Sequence, residues 1–198
     1  MPSSDQGINL DRYVLVPRTL IFLIRDECIL LLKGGPDKHL WAGLYNGIGG
    51  HVERGEDIIS AAYRELSEET GFEINDLWLC GLITIDTGEE VGVGIYILRG
   101  EMSAIGTEFS AQLPPSSEGD LELIPINQLN SLPLVEDLPV LLPRVLGAQR
   151  GDAPFSAHYW YDQTDRLMIM FRDYQTFIDN FDQYRFARLI ILILRIYK

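Results

Sequence analysis

Between Gly50 and Phe72 the chain reads GHVERGEDIISAAYRELSEETGF, and no other stretch limits the fold as tightly. A Gly-rich turn, Gly47-Ile48-Gly49-Gly50, leads into it. The spacing predicts a helix that starts near Asp57 and stops at Gly71, the residue type that accepts a left-handed conformation at a helix C-terminus. Near the end of that helix Glu65, Glu68 and Glu69 stand at i, i+3 and i+4. At about 100° per residue the three side chains leave on one face. Like charges so placed destabilise an isolated helix by about 0.2–0.5 kcal/mol per pair. They also lie toward the end where the macrodipole disfavours anions. A divalent cation among them would reverse that balance, because it would be the largest local charge. A solvated acidic face is the plain alternative. Against it stand an apolar stripe, Ile59, Ala62, Tyr63 and Leu66, that anchors the helix, and Arg64, two turns after Glu56 and close enough to orient the acidic group.

The pattern Gly50, five residues, Glu56, seven residues, then Arg64-Glu65-Leu66-x-Glu68-Glu69-x-Gly71-Phe72 resembles the Nudix box of the Nudix hydrolases. Seven fixed residue types give a chance match on the order of 10⁻⁸ per start position. The resemblance implies an α/β fold, an α/β/α sandwich around a mixed β-sheet. It also implies hydrolysis of a phosphoanhydride in a nucleoside diphosphate linked to a further group, with Mg²⁺ as cofactor and Mn²⁺ as a substitute. Carried over residue by residue, the metal ligands are Glu65, Glu68, Glu69 and the backbone carbonyl of Gly49. Glu56 and Arg64 orient the helix carboxylates. The general base is a box glutamate, Glu65, or a carboxylate on a later loop: Glu118 first, Glu89 and Glu90 after it. His51 departs from the Lys that many relatives carry after the double glycine, which removes any phosphate contact made from there.

With 198 residues, 46% of them hydrophobic, the chain fits one domain or one domain with an extension. Its formal charge of −13 argues against a nucleic-acid polymer as partner, since such binders neutralise phosphates with Lys and Arg. A small nucleotide remains open if metal ions bring the positive charge. Cys28 and Cys80 are too few for a disulfide framework or a zinc site, and a reducing cytoplasm is the expected compartment. The first residues lack the pattern of a signal peptide.

Along the chain, Tyr13 to Lys33 reads as two strands joined at Arg25-Asp26-Glu27. Gly34 to Asn46 is a loop carrying Lys38, His39, Trp41 and Tyr45. Its end, WAGLYNGIGG, resembles the base-binding loop of Nudix enzymes that clear oxidised purine nucleotides. That likeness makes Asn46 a ligand of the base, with Trp41 and Lys38 as further substrate contacts. Ordinary packing is the competing reading for Trp41 and Tyr45. Leu77–Asp86 and Val91–Arg99 are expected strands, EMSAIGTEFSAQL a weaker continuation of the sheet, and LELIPI a short strand. Leu129 to Leu146 is expected to be helical, interrupted at Pro133, Pro139 and Pro143. Residues 1–148 form the expected catalytic domain. Residues 149–198 are an extension, a β-hairpin over 153–172 that extends the sheet or covers a homodimer interface, followed by an apolar tail. That tail, FARLIILILRIY, is shorter than the about 18–20 residues that a bilayer requires, so no membrane partner is expected. His39 and His158 are read as non-catalytic.

Asn46 with its aromatic loop, and the segment LVEDLPVLLP, resemble MutT-like nucleoside triphosphate pyrophosphohydrolases, including those acting on oxidised purines. In that likeness Glu136 or Asp137 meets the edge of the base. An acidic residue at that place also simply stabilises a helix N-terminus. No proline falls between Gly50 and Leu113, where ADP-ribose hydrolases tend to carry one. The alternatives are a Nudix hydrolase of a sugar nucleotide or dinucleoside polyphosphate, and a non-catalytic nucleotide-binding module.

Overall fold

The computed structural model describes residues 2–7, 11–38, 40–102, 116 and 118–172. After a short 3-10 turn at Ser3–Gln6, strands β1 (Val14–Arg25) and β2 (Cys28–Gly34) form the expected antiparallel hairpin. A two-residue strand, β3 (Tyr45–Asn46), precedes helix α1 (Ile58–Thr70). Strands β4 (Trp78–Asp86), β5 (Val91–Glu101) and β6 (Gly119–Pro125) follow, then helix α2 (Leu138–Gly147) and strands β7 (Phe155–Tyr161) and β8 (Leu167–Arg172).

Among the described residues the eight strands join one mixed sheet in the order β3-β2-β1-β5-β4-β7-β8, with β6 paired to β2 off this path. The pairs β1–β5 and β4–β7 are parallel and the rest antiparallel. The centre of β1 is buried on both faces. Because side chains alternate along a strand, Phe22 and Ile24 enter one core while Ile21 and Leu23 enter the other. The first core is closed by α2, whose buried Leu138, Leu141, Leu142 and Val145 follow the i, i+3, i+4, i+7 pattern of an amphipathic helix. The second is closed by Ala62 and Leu66 of α1. These two helix-covered faces make the α/β/α sandwich.

Local signals set the helix ends. Asp57 caps α1 by accepting the N–H groups of Ile59 and Ser60, and Gly71 closes it with φ 68°. Two sequence expectations change. Ile59 does not belong to the anchoring stripe; it is exposed, and Ala61 is buried in its stead. The helix expected from Leu129 is split into a 3-10 turn at Ile126–Ser131 and the later α2, with an extended break at Leu132. Pro133 explains the break, because the residue before a proline is pushed out of the α region. Pro143 is tolerated inside α2. The hairpin expected at 153–172 is β7 and β8, and β7 joins the main sheet through β4. The segment EMSAIGTEFSAQL beyond Met102, His39 and the apolar tail lie outside the described residues. Among the described residues no helix is long and apolar enough to cross a membrane.

Candidate functional site

After β3 the chain does not leave the sheet. It runs antiparallel beside β1, with Ile48 and Ile21 exchanging both backbone hydrogen bonds and Thr19 N–H donating to the Gly50 carbonyl at 2.9 Å. This close approach explains the glycines. Gly49 has φ +146°, and a β-carbon there would overlap the Thr19 carbonyl. A β-carbon on Gly50 would lie 2.5–2.6 Å from the carboxylate of Glu65. The Gly-rich turn is therefore a backbone floor under the acidic end of α1.

Above that floor, Arg64 ties the acidic residues together. Its guanidinium donates to Glu56 at 2.7 and 3.1 Å, to Glu65 at 2.9 Å, to Glu68 at 3.2 Å and to the His51 carbonyl at 3.0 Å. The Arg64 hydrogen bond, and then the Glu53 N–H, hold the Glu56 carboxyl below its ordinary pKa. The three helix glutamates do not share one environment. Glu68 is exposed and Glu65 largely covered. Glu69 is 6% exposed, on the same buried stripe as Ala62 and Leu66. Its Oε2 atom is buried with no hydrogen-bond partner among the described residues. Burial pushes the Glu69 carboxyl up to about 8, helped by the charges of Glu118 and Glu65 and opposed by Lys38 and the Gly49 N–H.

Lys38, from the loop after β2, forms an ion pair with Glu118, the residue just before β6. β6 pairs with β2 down to Gly34↔Gly119, and that pairing brings Glu118 beside Glu69. Of the three loop carboxylates expected as candidates, Glu118 thus joins the helix group. Glu89 and Glu90 are exposed in the turn between β4 and β5. Among the described residues no group of three or more His, Cys, Asp and Glu side chains is arranged to hold a metal ion. His51 is exposed and accepts from Arg18 Nε at 3.1 Å.

Strand β3 leads directly into the Gly-rich turn. Tyr45 exchanges backbone hydrogen bonds with Pro133 and Val135, so the segment leading to α2 runs beside it. The segment that enters α2 at Asp137 is thereby fixed to the residue before Asn46. Asn46 Oδ1 accepts the Gly47 N–H at 2.8 Å, which leaves the amide NH₂ as its unspent donor. Asn46 precedes Gly49 by three residues, at most about 11 Å of extended chain. Asp137 stands at the N-terminus of α2 without a side-chain cap hydrogen bond. Its carboxyl lies against the buried Tyr159 hydroxyl, and burial pushes it up to about 6. Trp41 is not core: it is 46% exposed and holds φ +59°, a conformation that bulky residues rarely adopt. Sequence reasoning missed Tyr159, because nothing local to β7 shows that it faces Asp137. A cavity of about 270 Å³ lined by Cys80, Arg144 and Phe155 lies at the opposite end of α2.

Known proteins bear on this geometry. The family model described as NUDIX domain matches residues 14–145. The oxidized purine nucleoside triphosphate hydrolase of Danio rerio is 32% identical over 112 residues, covering 56% of this chain and 70% of that protein. Its Mus musculus namesake is 37% identical over 68 residues, 34% of this chain; the chain spans 42% of that relative's length. Among solved structures, the MutT protein from Bacillus halodurans superposes with a TM-score of 0.62 at 22% identity, covering 80% of this chain and 97% of that one.

Proposed function

The chain belongs to the Nudix family of pyrophosphohydrolases, and on that premise we propose that it converts a purine nucleoside triphosphate, oxidised purines included, to the monophosphate and pyrophosphate. The observation that carries the reading is Glu69. A carboxylate buried beside Glu65 and Glu118, with one oxygen left without a partner among the described residues, is a costly arrangement unless a cation completes it.

The residues fit a magnesium ion. They offer hard oxygen donors on a rigid helix, an orphaned buried oxygen, and backbone brought close by two glycines. Magnesium is usually held by one or two carboxylates and completes its shell with water and substrate phosphates. Glu65, Glu68, Glu69 and the Gly49 carbonyl would hold it, and Mn²⁺ would substitute. When bound, the metal supplies positive charge to the phosphates and lowers the pKa of water.

The chain's own groups do the positioning. Water attacks in line at one of the two phosphorus atoms flanking the α–β bridging oxygen; the bond from that phosphorus to the bridging oxygen breaks, the oxygen leaves on the other fragment, and the products are the monophosphate and pyrophosphate. The water's proton passes to a carboxylate, with Glu65 and Glu118 the two in place. Arg64 holds Glu65 and Glu68 at fixed rotamers by charge-assisted bonds, and Glu56 holds Arg64. Lys38, already among these carboxylates, brings a cation to the phosphate end. Asn46 donates to the base, Asp137 meets its edge, and exposed Trp41 covers the mouth of the cleft. The purine is inferred from the two relatives named as oxidized purine nucleoside triphosphate hydrolases, joined to the placement of Asn46. A cytoplasmic location, where free nucleotides are available as substrate, is part of the same proposal.

The test is a panel of nucleoside triphosphates, oxidised and ordinary, with sugar nucleotides and dinucleoside polyphosphates, assayed with Mg²⁺. Pyrophosphate release from purine triphosphates is the expected result. Turnover confined to the other linkages would overturn the substrate, and metal-dependent binding without turnover of any compound would overturn the enzyme.

A further inference from the structure

Helix α1 covers only part of its side of the sheet. The core beneath it draws its strand residues from β1, β2, β5 and β6 and, among the described residues, takes none from β4, β7 or β8. Alternation along those three strands sends Ile83, Ala157, Tyr159, Ile169 and Phe171 into the core closed by α2. The residues between them face the other way, with Thr84, His158 and Met170 side by side in the strand register. Leu82 and Met170 on this face are each 37% exposed. The His158 and Trp160 rings stack with centroids 5.3 Å apart. None of Leu82, Trp160, Met168 and Met170 belongs to either core. Strand β5 adds a second sign at Gly94, which lies opposite Thr84 and Pro17 on the same face. Glycine in mid-strand weakens a sheet, and the fold itself does not require this one. Gly94 holds no left-handed angle, and a β-carbon there would meet only the Leu15 side chain, at 3.5 and 3.6 Å, an ordinary contact. Such a glycine marks a strand on which another segment lies close.

We propose that this uncovered face over β4, β7 and β8 is the docking surface for the apolar segment of the chain's own C-terminal extension, residues 186–197, FARLIILILRIY. Position points to this occupant. Strand β8 is the edge of the sheet, and its last residue, Arg172, lies on the same face as Met170, its guanidinium 3.9 Å from the Met170 sulfur. The chain therefore continues from the rim of the face. Residues 173–185 reach about 40 Å when extended, ample for a face about 14 Å wide from β5 to β8. Size agrees as well, because residues 186–197 drawn as a helix span about 18 Å and cross all four strands. The chemistry is complementary. Arg188 and Arg195, seven positions apart, fall on one side of such a helix and leave the other sides apolar. With Lys198 and no acid among them, they also suit a return to a body whose chain carries a formal charge of −13. The extension then completes the sandwich, with α1 over one half of this side of the sheet and residues 186–197 over the other. The proposal holds whichever nucleotide is cleaved.

The test uses methionine methyl groups as reporters in the full chain. Met168 and Met170 lie on the face, and Met102, fully buried in the core under α1, is the control. A nitroxide is attached at Leu192→Cys in a Cys28→Ser background, Cys80 being buried. Carbon-13 methyl spectra are recorded before and after the nitroxide is reduced, with Met168→Leu and Met170→Leu giving the assignments. The expected result is loss of the Met168 and Met170 peaks while the nitroxide is intact, and a weaker effect at Met102. A carbon-13 chain without the label, mixed with labelled chain of natural abundance, should show no such loss. Gly94→Leu, which raises the floor of the face, should restore both peaks, and a Met102 peak at its wild-type position shows that each variant is folded. Retention of the Met168 and Met170 peaks overturns the proposal. Equal loss in the mixed sample overturns it as well, by making the occupant a second copy of the chain. Undiminished loss in Gly94→Leu places the segment off β5 and overturns it too.

Discussion

A β-carbon on Gly50 would stand 2.5 Å from Glu65 Oε1, so the first glycine of the motif and its central glutamate occupy adjoining space. The glycine reserves the volume in which that carboxylate sits. The clash is with the end of a flexible side chain and not with backbone, so alanine at 50 should move Glu65 without unfolding the chain. Gly50→Ala is expected to lower kcat by about 100-fold, the scale of loss from a misplaced catalytic group. Its thermal midpoint should stay within a few degrees of wild type. Gly49→Ala should differ, because its β-carbon meets the Thr19 carbonyl and its φ is +146°. That variant should lose thermal stability, and a melting curve beside the activity assay separates the two.

Glu69→Gln tests the buried carboxylate. The amide keeps the shape and removes the charge, so turnover should fall by at least about 100-fold if that oxygen is a ligand. Stability should not fall, since a neutral group replaces one crowded by Glu65 and Glu118. Steady-state rates with saturating Mg²⁺, together with urea unfolding, give both numbers. A wild-type rate in this variant would remove Glu69 from the site.

Asp137 makes stability depend on pH in a defined direction. Its folded pKa, about 6, lies above the ordinary 3.8. Between those values the folded state holds more protons than the unfolded one, so stability falls as pH rises through that window and is level above it. Asp137→Asn should therefore stabilise the chain by about 1–3 kcal/mol at pH 8, with the gain shrinking toward zero near pH 4. Urea unfolding at the two pH values checks the sign.

Arg99 fastens α2 to the sheet from β5. Its Nη1 donates to the carbonyls of Val145, Leu146 and Ala148 at 3.1, 2.9 and 2.7 Å, serving the exposed end of the helix. Arg99→Met should destabilise the chain by about 2–4 kcal/mol, because three part-buried helix-end carbonyls lose their charged donor together. Denaturant titration measures it, and a loss below about 0.5 kcal/mol would show that water replaces the arginine.

What was legible in the sequence is what short-range chemistry specifies. The cap at Asp57, the stop at Gly71 and the contact between Arg64 and Glu56 all follow from spacing along one helix and its entry turn. Whether Glu65, Glu68 and Glu69 are equally exposed did not follow. Which of three carboxylates on one face is buried depends on where β1 and the Gly-rich segment lie beneath the helix. Glu118 could be ranked before Glu89 and Glu90 by resemblance but not placed beside Glu69, since its place is set by pairing β6 with β2 across 85 or more positions. The break before α2 was partly legible in Pro133; the length of the 3-10 turn before it was not. Arg99 and Tyr159 were invisible, because their partners are on other elements, brought near by parallel strand pairs.

The central claim, that the acidic end of α1 is a cation cradle, is tested most directly by crystals grown with Mn²⁺ and a non-hydrolysable nucleoside triphosphate, read by anomalous difference density. The account predicts a peak bounded by Glu65, Glu69 and the Gly49 carbonyl, with phosphate oxygens completing the shell. A nucleotide bound with its Mn²⁺ elsewhere, and Glu69 still buried without a ligand, would contradict it.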